Sequence, residues 1–382
     1  MTLQEISNSA KSKFAEIAFP HKKDEYWRFA DLNAWGVDGL FPFFSSSNPP
    51  KAEEDKRLRD MEADLWKADV VVFDGQIVGA NAVEGVEILQ MPKAFEKYPE
   101  LISNFFNSAS GKLDTFQASR AESGVFVRVK AGASVKMRVA VISKMHISAT
   151  GAFFLLEENS KLRLQKTSIT FGGSLSSVRF GFEVSKGARL EYAQEKFSEK
   201  SALMFEREDF NLCEGATVVD ALAQTGLSHS RSERNFTLSG SYSAVDSRVF
   251  LKTSGNITAD LRTSQKHLVE NCKSNLQVKS ALDDTSAIAF TGLVDVCEQA
   301  QKTEAYQSCR SLLLSKEAKA QASPILEISA NDVVCSHGCA VAEPDKEELF
   351  YMRQRGLTLQ QARNMIVDSF AGTTFELFAD TE

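Results

Sequence analysis

The heptapeptide GARLEYA, residues 187–193, indicates the fold, because its first four residues recur along the chain. The same pattern of glycine, alanine, a variable residue and an apolar residue begins at Gly132 and at Gly215, and Asn159 opens a looser copy. Neighbouring copies lie 27 to 28 residues apart. A corner that returns at a nearly fixed spacing indicates a stacked repeat in which each unit forms one coil.

Short alternating runs fill the region between residues 124 and 341. Among them are GVFVRV, VKMRVAVI, KLRLQKTSI, VRFGFEV and SRVFLK, with Gly, Ser or Asn between them. This alternation is typical of β-strands. A parallel β-helix and an antiparallel sandwich could both use such strands, and the shared corner favours the β-helix. We therefore predict a mainly β fold, with a parallel β-helix as the better explanation and the antiparallel sandwich still open.

Helical patterns flank this core. We predict an N-terminal helical region over residues 1–109, the β-helix over 110–341 and a C-terminal helical region over 342–382. Within the first region, Asp74-Gly75 lies between two β-branched runs and predicts a tight hairpin, because such turns need positive φ angles. The charged residues 51–67 predict a solvated helix.

The C-terminal region carries the signals of two short helices. Asp345 can cap the first, with Glu348 three residues later, and Gly356 can end it. Thr358 and Gln361 then fit the capping box of a second helix. The apolar faces of this pair could serve the core of the chain, a partner, or both.

Composition excludes several classes of function. The chain has 382 residues, 43% of them hydrophobic, and a formal net charge of -7, which disfavours a nucleic-acid partner. No apolar run approaches the roughly 20 residues that a membrane helix needs. The six cysteines form no C-x-x-C pair, which suits reduced thiols and a cytoplasmic protein. No phosphate-binding loop or dinucleotide fingerprint is present, so we expect no nucleotide to bind this chain.

The stretch VCSHGCAV, residues 334–341, concentrates metal-binding residue types. On a strand, Cys335, His337 and Cys339 would share one face. Their stepwise separation of about 6.5 to 7 Å prevents one strand from wrapping all three around an ion, so we predict a partial site completed by another surface. A purely structural reading, with two small buried thiols and a core histidine, stays open. The other histidines, at positions 21, 146, 229 and 267, show no ligand spacing.

A longer composite motif surrounds this stretch. Residues 301–371 contain P-x-L-E-I-x-A-x-D-V-x-C-S-H-G followed by L-F-Y-x-x-x-R-G, and in this order they resemble the C-terminal half of the SufB/SufD family of iron-sulfur cluster assembly proteins. Weaker similarity extends through DEYWRFADL, residues 24–32, and RAESGVFVRVKAG, residues 120–132. Within the family, Ala318 and the sequence Cys335-Ser336-His337-Gly338 resemble the SufD type rather than the SufB type.

The resemblance implies a right-handed parallel β-helix between helical ends, and a subunit that is not itself an enzyme. It implies a heterodimer with a SufB-like subunit through the β-helix, and a SufC-like ABC ATPase bound by the C-terminal helices. A transient, nascent iron-sulfur cluster would form at the SufB interface, with His337 and Cys335 as candidate ligands. The isolated chain could use the same surface to form a homodimer. The residues expected to contact the ATPase are Leu349, Phe350, Arg355, Gly356, Leu357 and Met365.

Two other functions stay open. The chain could be a structural adaptor of the same complex, with an inert cysteine cluster. It could instead be a stand-alone β-helix enzyme, against which stands the expected lack of clustered carboxylates, since Glu157-Glu158 and Asp283-Asp284 would each point to opposite faces of a strand. SufD-type proteins commonly have alanine where this chain has Cys339, so we expect Cys339→Ala to leave cluster formation nearly unchanged.

Overall fold

The computed structural model describes residues 2–21, 23–37, 56–107, 111–144, 147–372 and 374. The strands in this part of the chain are β1 (Val70–Phe73), β2 (Gln76–Ala80), β3 (Val86–Gln90), β4 (Val125–Val129), β5 (Ser134–Ser143), β6 (Ile147–Leu156), β7 (Lys161–Thr170), β8 (Leu175–Val184), β9 (Arg189–Ser198), β10 (Leu203–Leu212), β11 (Thr217–Gly226), β12 (His229–Leu238), β13 (Ala244–Thr253), β14 (Thr258–His267), β15 (Lys273–Leu282), β16 (Ala287–Val296), β17 (Thr303–Leu313), β18 (Lys319–Ile328) and β19 (Val333–Ala342).

From β5 onward, successive strands alternate between two sheets. Sheet A has the order β19-β17-β15-β13-β11-β9-β7-β5-β1-β2, and sheet B has the order β18-β16-β14-β12-β10-β8-β6-β4-β3. The pairings from β5 to β19 are parallel. Each turn therefore adds one strand to each sheet, and the fold is a parallel β-solenoid. The prediction of a parallel β-helix over a sandwich is confirmed.

The recurring corner has a conformational cause. Gly132, Gly187 and Gly215 adopt φ angles of 69°, 65° and 65°, and Asn159 adopts 57°. Glycine reaches this left-handed region without steric cost, and asparagine is among the other residues that tolerate it. Ser134 pairs with Lys161 one turn later, so the spacing seen in the sequence is the length of one turn.

The enclosed space between the two sheets, called the lumen below, contains a stack of aromatic rings. Phe154, Phe182, Phe210 and Phe236 occupy equivalent positions on successive strands of sheet B, and adjacent ring centroids lie 5.1, 4.6 and 4.6 Å apart. These rings are almost fully buried. Offset stacking adds roughly 0.5–1.5 kcal/mol per pair beyond the burial of apolar area, so the stack ties neighbouring turns together.

Helices cover parts of both sheets. They are α1 (Leu3–Glu16), α2 (Lys56–Leu65), α3 (Met91–Lys97), α4 (Pro99–Asn107), α5 (Lys112–Ala118), α6 (Lys346–Gln354) and α7 (Leu359–Ala371), with 3-10 helices at Glu25–Trp27 and Ala121–Ser123. Apolar residues of α1, α3 and α4 pack on the outer face of sheet B beside Phe126 and Phe153.

The prediction of a solvated helix over 51–67 is wrong for one face of α2; residues 51–55 lie outside the described residues. Leu58 and Leu65 of α2 are buried and pack with Ala140 and Ile142 against the outer face of sheet A. Charged residues on the rest of the helix hide this narrow apolar stripe in the sequence.

The N-terminal end of the solenoid is capped. β1 pairs with β5 in parallel and turns through Asp74 and Gly75, with φ angles of 47° and 81°, into antiparallel β2. This is the predicted hairpin. In sheet B, β3 pairs antiparallel with β4. Both sheets therefore end in an antiparallel strand at this side, and the solenoid repeat stops there.

The two C-terminal helices begin and end as the sequence predicts. Asp345 accepts hydrogen bonds from the backbone N–H groups of Glu347 and Glu348, at 2.7 and 3.4 Å. Thr358 and Gln361 form a capping box at the start of α7. Gly356 follows α6 with a φ of 90°. The helices pack on the outer face of sheet A through a cluster of Phe250, Ala281, Leu312, Ile366, Val367 and Ala371.

We expect the buried His267 to make the protein less stable in mild acid. Burial lowers the pKa of its imidazole from 6.5 to about 4, and its side chain is fully enclosed beside Ser274 in the lumen. As the pH falls from 6.5 to 4, His267 is therefore protonated in the unfolded state but stays neutral in the folded state. The folded state loses stability over this pH range.

This one group should lower the free energy of unfolding by about 2 kcal/mol between pH 7 and pH 5. Urea unfolding of His267→Gln at the two pH values should show a correspondingly smaller loss. His21→Gln, which removes an exposed histidine, is the control. It should lose as much free energy of unfolding between pH 7 and pH 5 as the wild type does. An equal loss of unfolding free energy in the wild type and in His267→Gln would contradict the role of His267 in this pH dependence.

Candidate functional site

The C-terminal end of the solenoid differs from the N-terminal end. β18 and β19 are the end strands of sheets B and A, so within the described ranges each has one edge without a neighbouring strand. Apolar side chains are also exposed here, with Ile325, Ile328, Val334 and Val341 between 40% and 58% accessible. An unpaired strand edge with exposed apolar residues is a template for another strand, so we call this surface the open end.

The Cys-His-Cys row lies on β19 at the open end. Cys335, His337 and Cys339 pair in register with Ala305, Gln307 and Cys309 of β17, respectively. The three β17 residues are buried and face the lumen. Residues in register on parallel strands share a face, so the row lies at the mouth of the lumen. The prediction that the three residues share one side is confirmed.

The row does not close into a metal site by itself. β19 runs through Gly338 without a break, so the three side chains stay in an extended row. In the part of the chain that the structure describes, no three His, Cys, Asp or Glu side chains converge on one ion. Cys335 is half-buried against a small apolar cluster, and burial raises the pKa of its thiol. His337 is exposed at the mouth.

Cys309 is a neighbour of the row that the sequence reasoning missed. It lies in the apolar core one turn below Cys339 and is its register partner on the neighbouring strand. Burial, with a smaller contribution from Cys339, raises the pKa of Cys309 to about 12. Their separation in the sequence is about one turn of the solenoid, and this spacing could have predicted that the two cysteines are neighbours.

The lumen also contains clustered carboxylates, so the expectation that the strand region lacks them is wrong. Each carboxylate of this lumen ion cluster forms an ion pair, and all of its members are buried. The cluster is enclosed in the middle of the solenoid, away from the open end. Its members are Lys166, Lys196, Glu206, Glu208, Asp220 and Arg234.

The lumen ion cluster is a network of direct contacts. Lys166 Nζ lies 2.5 Å from Glu206 and 3.0 Å from Glu208. Arg234 contacts Glu208 and lies 2.6 Å from Asp220. Burial alone would raise the pKa of Glu208, but the charges of Arg234 and Lys166 hold it below its usual value. Paired and enclosed in this way, the carboxylates fix the packing of the lumen and have no access to a polysaccharide.

The acidic pairs considered in the sequence are not on strands. Glu157 and Glu158 lie at the corner after β6, and Asp283 and Asp284 lie at the corner after β15. The prediction that the members of each pair point to opposite faces of a strand is therefore wrong, because corners interrupt the alternation.

The other described histidines have structural surroundings. His229 accepts a hydrogen bond from the backbone N–H of Thr258 at 2.9 Å and stacks on Trp35 at 5.0 Å. Burial lowers its pKa. His21 Nδ1 accepts a hydrogen bond from the backbone of Lys23. His146 lies outside the described residues.

The helix pair α6–α7 presents a second surface. Phe350 and Met365 are 64% and 50% accessible, and Tyr351 and Leu359 are also exposed. Arg355 is exposed and donates a hydrogen bond to the Tyr351 hydroxyl at 2.9 Å. We call these five residues the exposed helix face. Among the other residues predicted for partner binding, Gly356 is exposed, Leu357 is half-buried and Leu349 packs toward sheet A.

The described residues form a parallel β-solenoid with one end capped by antiparallel strands and one open end. The open end carries the thiol and imidazole groups of the Cys-His-Cys row, which are donors for soft metals. Residues 124–370 match the family model described as SUF system FeS cluster assembly, SufBD core domain. The chain belongs to this family, which confirms the resemblance seen in the sequence. None of the helices in the described ranges is both long and apolar enough to cross a bilayer.

Several curated proteins are similar to the chain. The iron-sulfur cluster assembly protein SufD of Escherichia coli is 31% identical over 205 residues, 54% of this chain and 48% of that protein. SufD of Bacillus subtilis is 27% identical over 36% of this chain and 32% of that protein. Protein ABCI7, chloroplastic, of Arabidopsis thaliana is 23% identical over 100% of this chain and 84% of that protein. The match to the E. coli protein thus spans about half its length.

Proposed function

We propose that this chain is the SufD-type subunit of a SUF complex. It pairs with a SufB-type subunit through the open end and binds a SufC-type ATPase through the exposed helix face. It helps to form a nascent iron-sulfur cluster, which is cargo of the complex. The observation that carries the proposal is the position of Cys335 and His337 at the mouth of the lumen, on the end strand of sheet A as the described residues form it. Two similar proteins named SufD support this choice within the family.

The open end suits pairing with a second β-solenoid. The free edges of β18 and β19 offer backbone donors and acceptors to strands of a partner, and Ile325, Val334 and Val341 offer apolar area. At the other end the last strands, β2 and β3, run antiparallel to their neighbours, so the parallel repeat does not continue there. A partner that extends both sheets would cover the Cys-His-Cys row.

Cluster formation at this interface follows from the chemistry of the donors. Thiolates bind iron and sulfide strongly, and a neutral imidazole adds a more borderline ligand. This chain offers Cys335 and His337, so the remaining ligands come from the SufB-type partner. A ligand set divided between two chains can open when the interface moves, which suits a cluster that must be passed on.

The helices that carry the exposed helix face are connected to β19 through β17. Ile366 and Val367 of α7 pack with Leu312 of β17, and β17 is the strand that pairs with β19. A partner that pulls on α6–α7 therefore acts on the strand beside the Cys-His-Cys row. This link gives ATP-driven closure of two SufC-type subunits a route to the cluster interface. The chain itself has no turnover in this proposal.

Co-expression tests the proposed assembly. The chain should co-elute with SufB-type and SufC-type subunits of the same host in size-exclusion chromatography. Disrupting the open end with Val334→Lys and Val341→Lys together should remove the SufB-type subunit, because charges would be buried at the interface. Retention of the SufC-type subunit by this variant is the internal control for folding. Loss of neither subunit would contradict the use of the open end.

A further inference from the structure

We propose that Cys309 and Cys339 form a two-thiolate binding site for a soft monovalent metal ion, with Cu⁺ as the fitting case. The site lies at the mouth of the lumen and does not depend on the proposed cluster function. Cys309 is almost fully buried, whereas Cys339 is exposed, so an ion can reach the pair from the open end.

The geometry of parallel strands positions the two thiols. Cys309 and Cys339 are register partners on β17 and β19, and Cys309 is on the buried, lumen-facing side of its strand. Neighbouring strands are about 4.7–4.9 Å apart, and in-register side chains leave the backbone in the same direction. The two sulfur atoms can therefore approach one ion from adjacent strands without movement of the backbone.

The same geometry disfavours a disulfide. A disulfide needs Cβ atoms about 3.5–4.5 Å apart, closer than the spacing of parallel neighbours. Both cysteines are free in the structure. An ion bridges two sulfur atoms at a wider separation than an S–S bond, so metal binding fits the ladder without strain.

The donor set and its surroundings select a soft ion. Thiolates favour Cu⁺ among the biological metals, whereas Zn²⁺ normally takes four ligands and Mg²⁺ and Ca²⁺ take oxygen. Cys309 is embedded in an apolar cluster with Val278 and Phe290. One monovalent ion replaces two thiol protons and offsets one of the two thiolate charges in this apolar setting.

The test is a Cu⁺ titration of the full chain, reduced and without oxygen, against a chromogenic Cu⁺ chelator. The wild type should take one ion per chain from the chelator, and Cys339→Ser and Cys309→Ala should not. Cys213→Ser, which removes a free thiol at another place in the chain, should bind as the wild type does. Because Cys339 is exposed, Cys339→Ser should give the circular dichroism spectrum of the wild type. If Cys309→Ala does not fold, the result for Cys339→Ser alone tests the proposed site.

Three results would overturn the site: no transfer of Cu⁺ to the wild type, undiminished transfer to Cys339→Ser, or loss of transfer in Cys213→Ser. Complete conversion to a Cys309–Cys339 disulfide by oxidised glutathione, seen by peptide mass spectrometry, would also overturn it, because the pair would then be a redox pair. Failure of the Cu⁺ titration leaves the SUF assembly tests unaffected, since these use the complex and His337.

Discussion

His337→Ala should fold like the wild type and yet support little cluster formation in a complex with SufB-type and SufC-type subunits. His337 is exposed at the open end, and surface substitutions away from special features usually change the free energy of unfolding by less than about 0.5 kcal/mol. Loss of a shared ligand should lower iron and sulfide retention by at least about tenfold, since even indirect partners of metal ligands have effects of this size.

The controls for His337→Ala separate three roles of the residue. His21→Ala removes another exposed histidine and should leave cluster content unchanged. Normal cluster content in the His337→Ala complex would favour the structural adaptor. A monomer destabilised by roughly 1–3 kcal/mol with normal clusters would instead indicate a structural hydrogen bond of the imidazole. Both outcomes contradict a ligand role.

Met365→Lys combined with Phe350→Asp should abolish binding of the SufC-type ATPase. Both residues belong to the exposed helix face, so the substitutions cost the isolated chain little. In a complex, burying an unpaired charge costs roughly 2–5 kcal/mol per site. Affinity measured by isothermal titration calorimetry should therefore fall below detection, while thermal unfolding of the chain stays close to that of the wild type.

Val78→Lys is the matched control for the helix substitutions. Val78 is 52% accessible on β2, at the capped end of the solenoid, and a lysine there should leave ATPase binding unchanged. Leu357→Asp is a second test, at a half-buried residue between the helices. Undiminished binding by Met365→Lys with Phe350→Asp would move the ATPase contact to another surface.

Local features of this chain could be predicted from sequence because their causes are local. Gly187 opens a corner since it tolerates a positive φ, and Asp74-Gly75 turns a hairpin for the same reason. Asp345 and Thr358 cap the helices that follow them through bonds to residues two or three positions away. Each of these signals is contained in a few consecutive residues.

Features that depend on stacking could not be predicted in this way. Glu208 and Arg234 alternate with other residues as if they faced solvent, and only the register between β10 and β12 places them together in the lumen. Cys309 looks isolated until β19 is laid beside β17. That the side chains from Cys335 to Cys339 share one face could be predicted, because this depends only on the alternation of side chains along a single strand.

The iron and acid-labile sulfide contents should be measured in a purified SUF complex that is reconstituted with and without this chain. The proposed function predicts that the complete complex carries a cluster, with iron and sulfide in similar amounts, and that SufB-type and SufC-type subunits alone retain little. Equal iron and sulfide in the two preparations would contradict the claim that this chain helps to build the cluster.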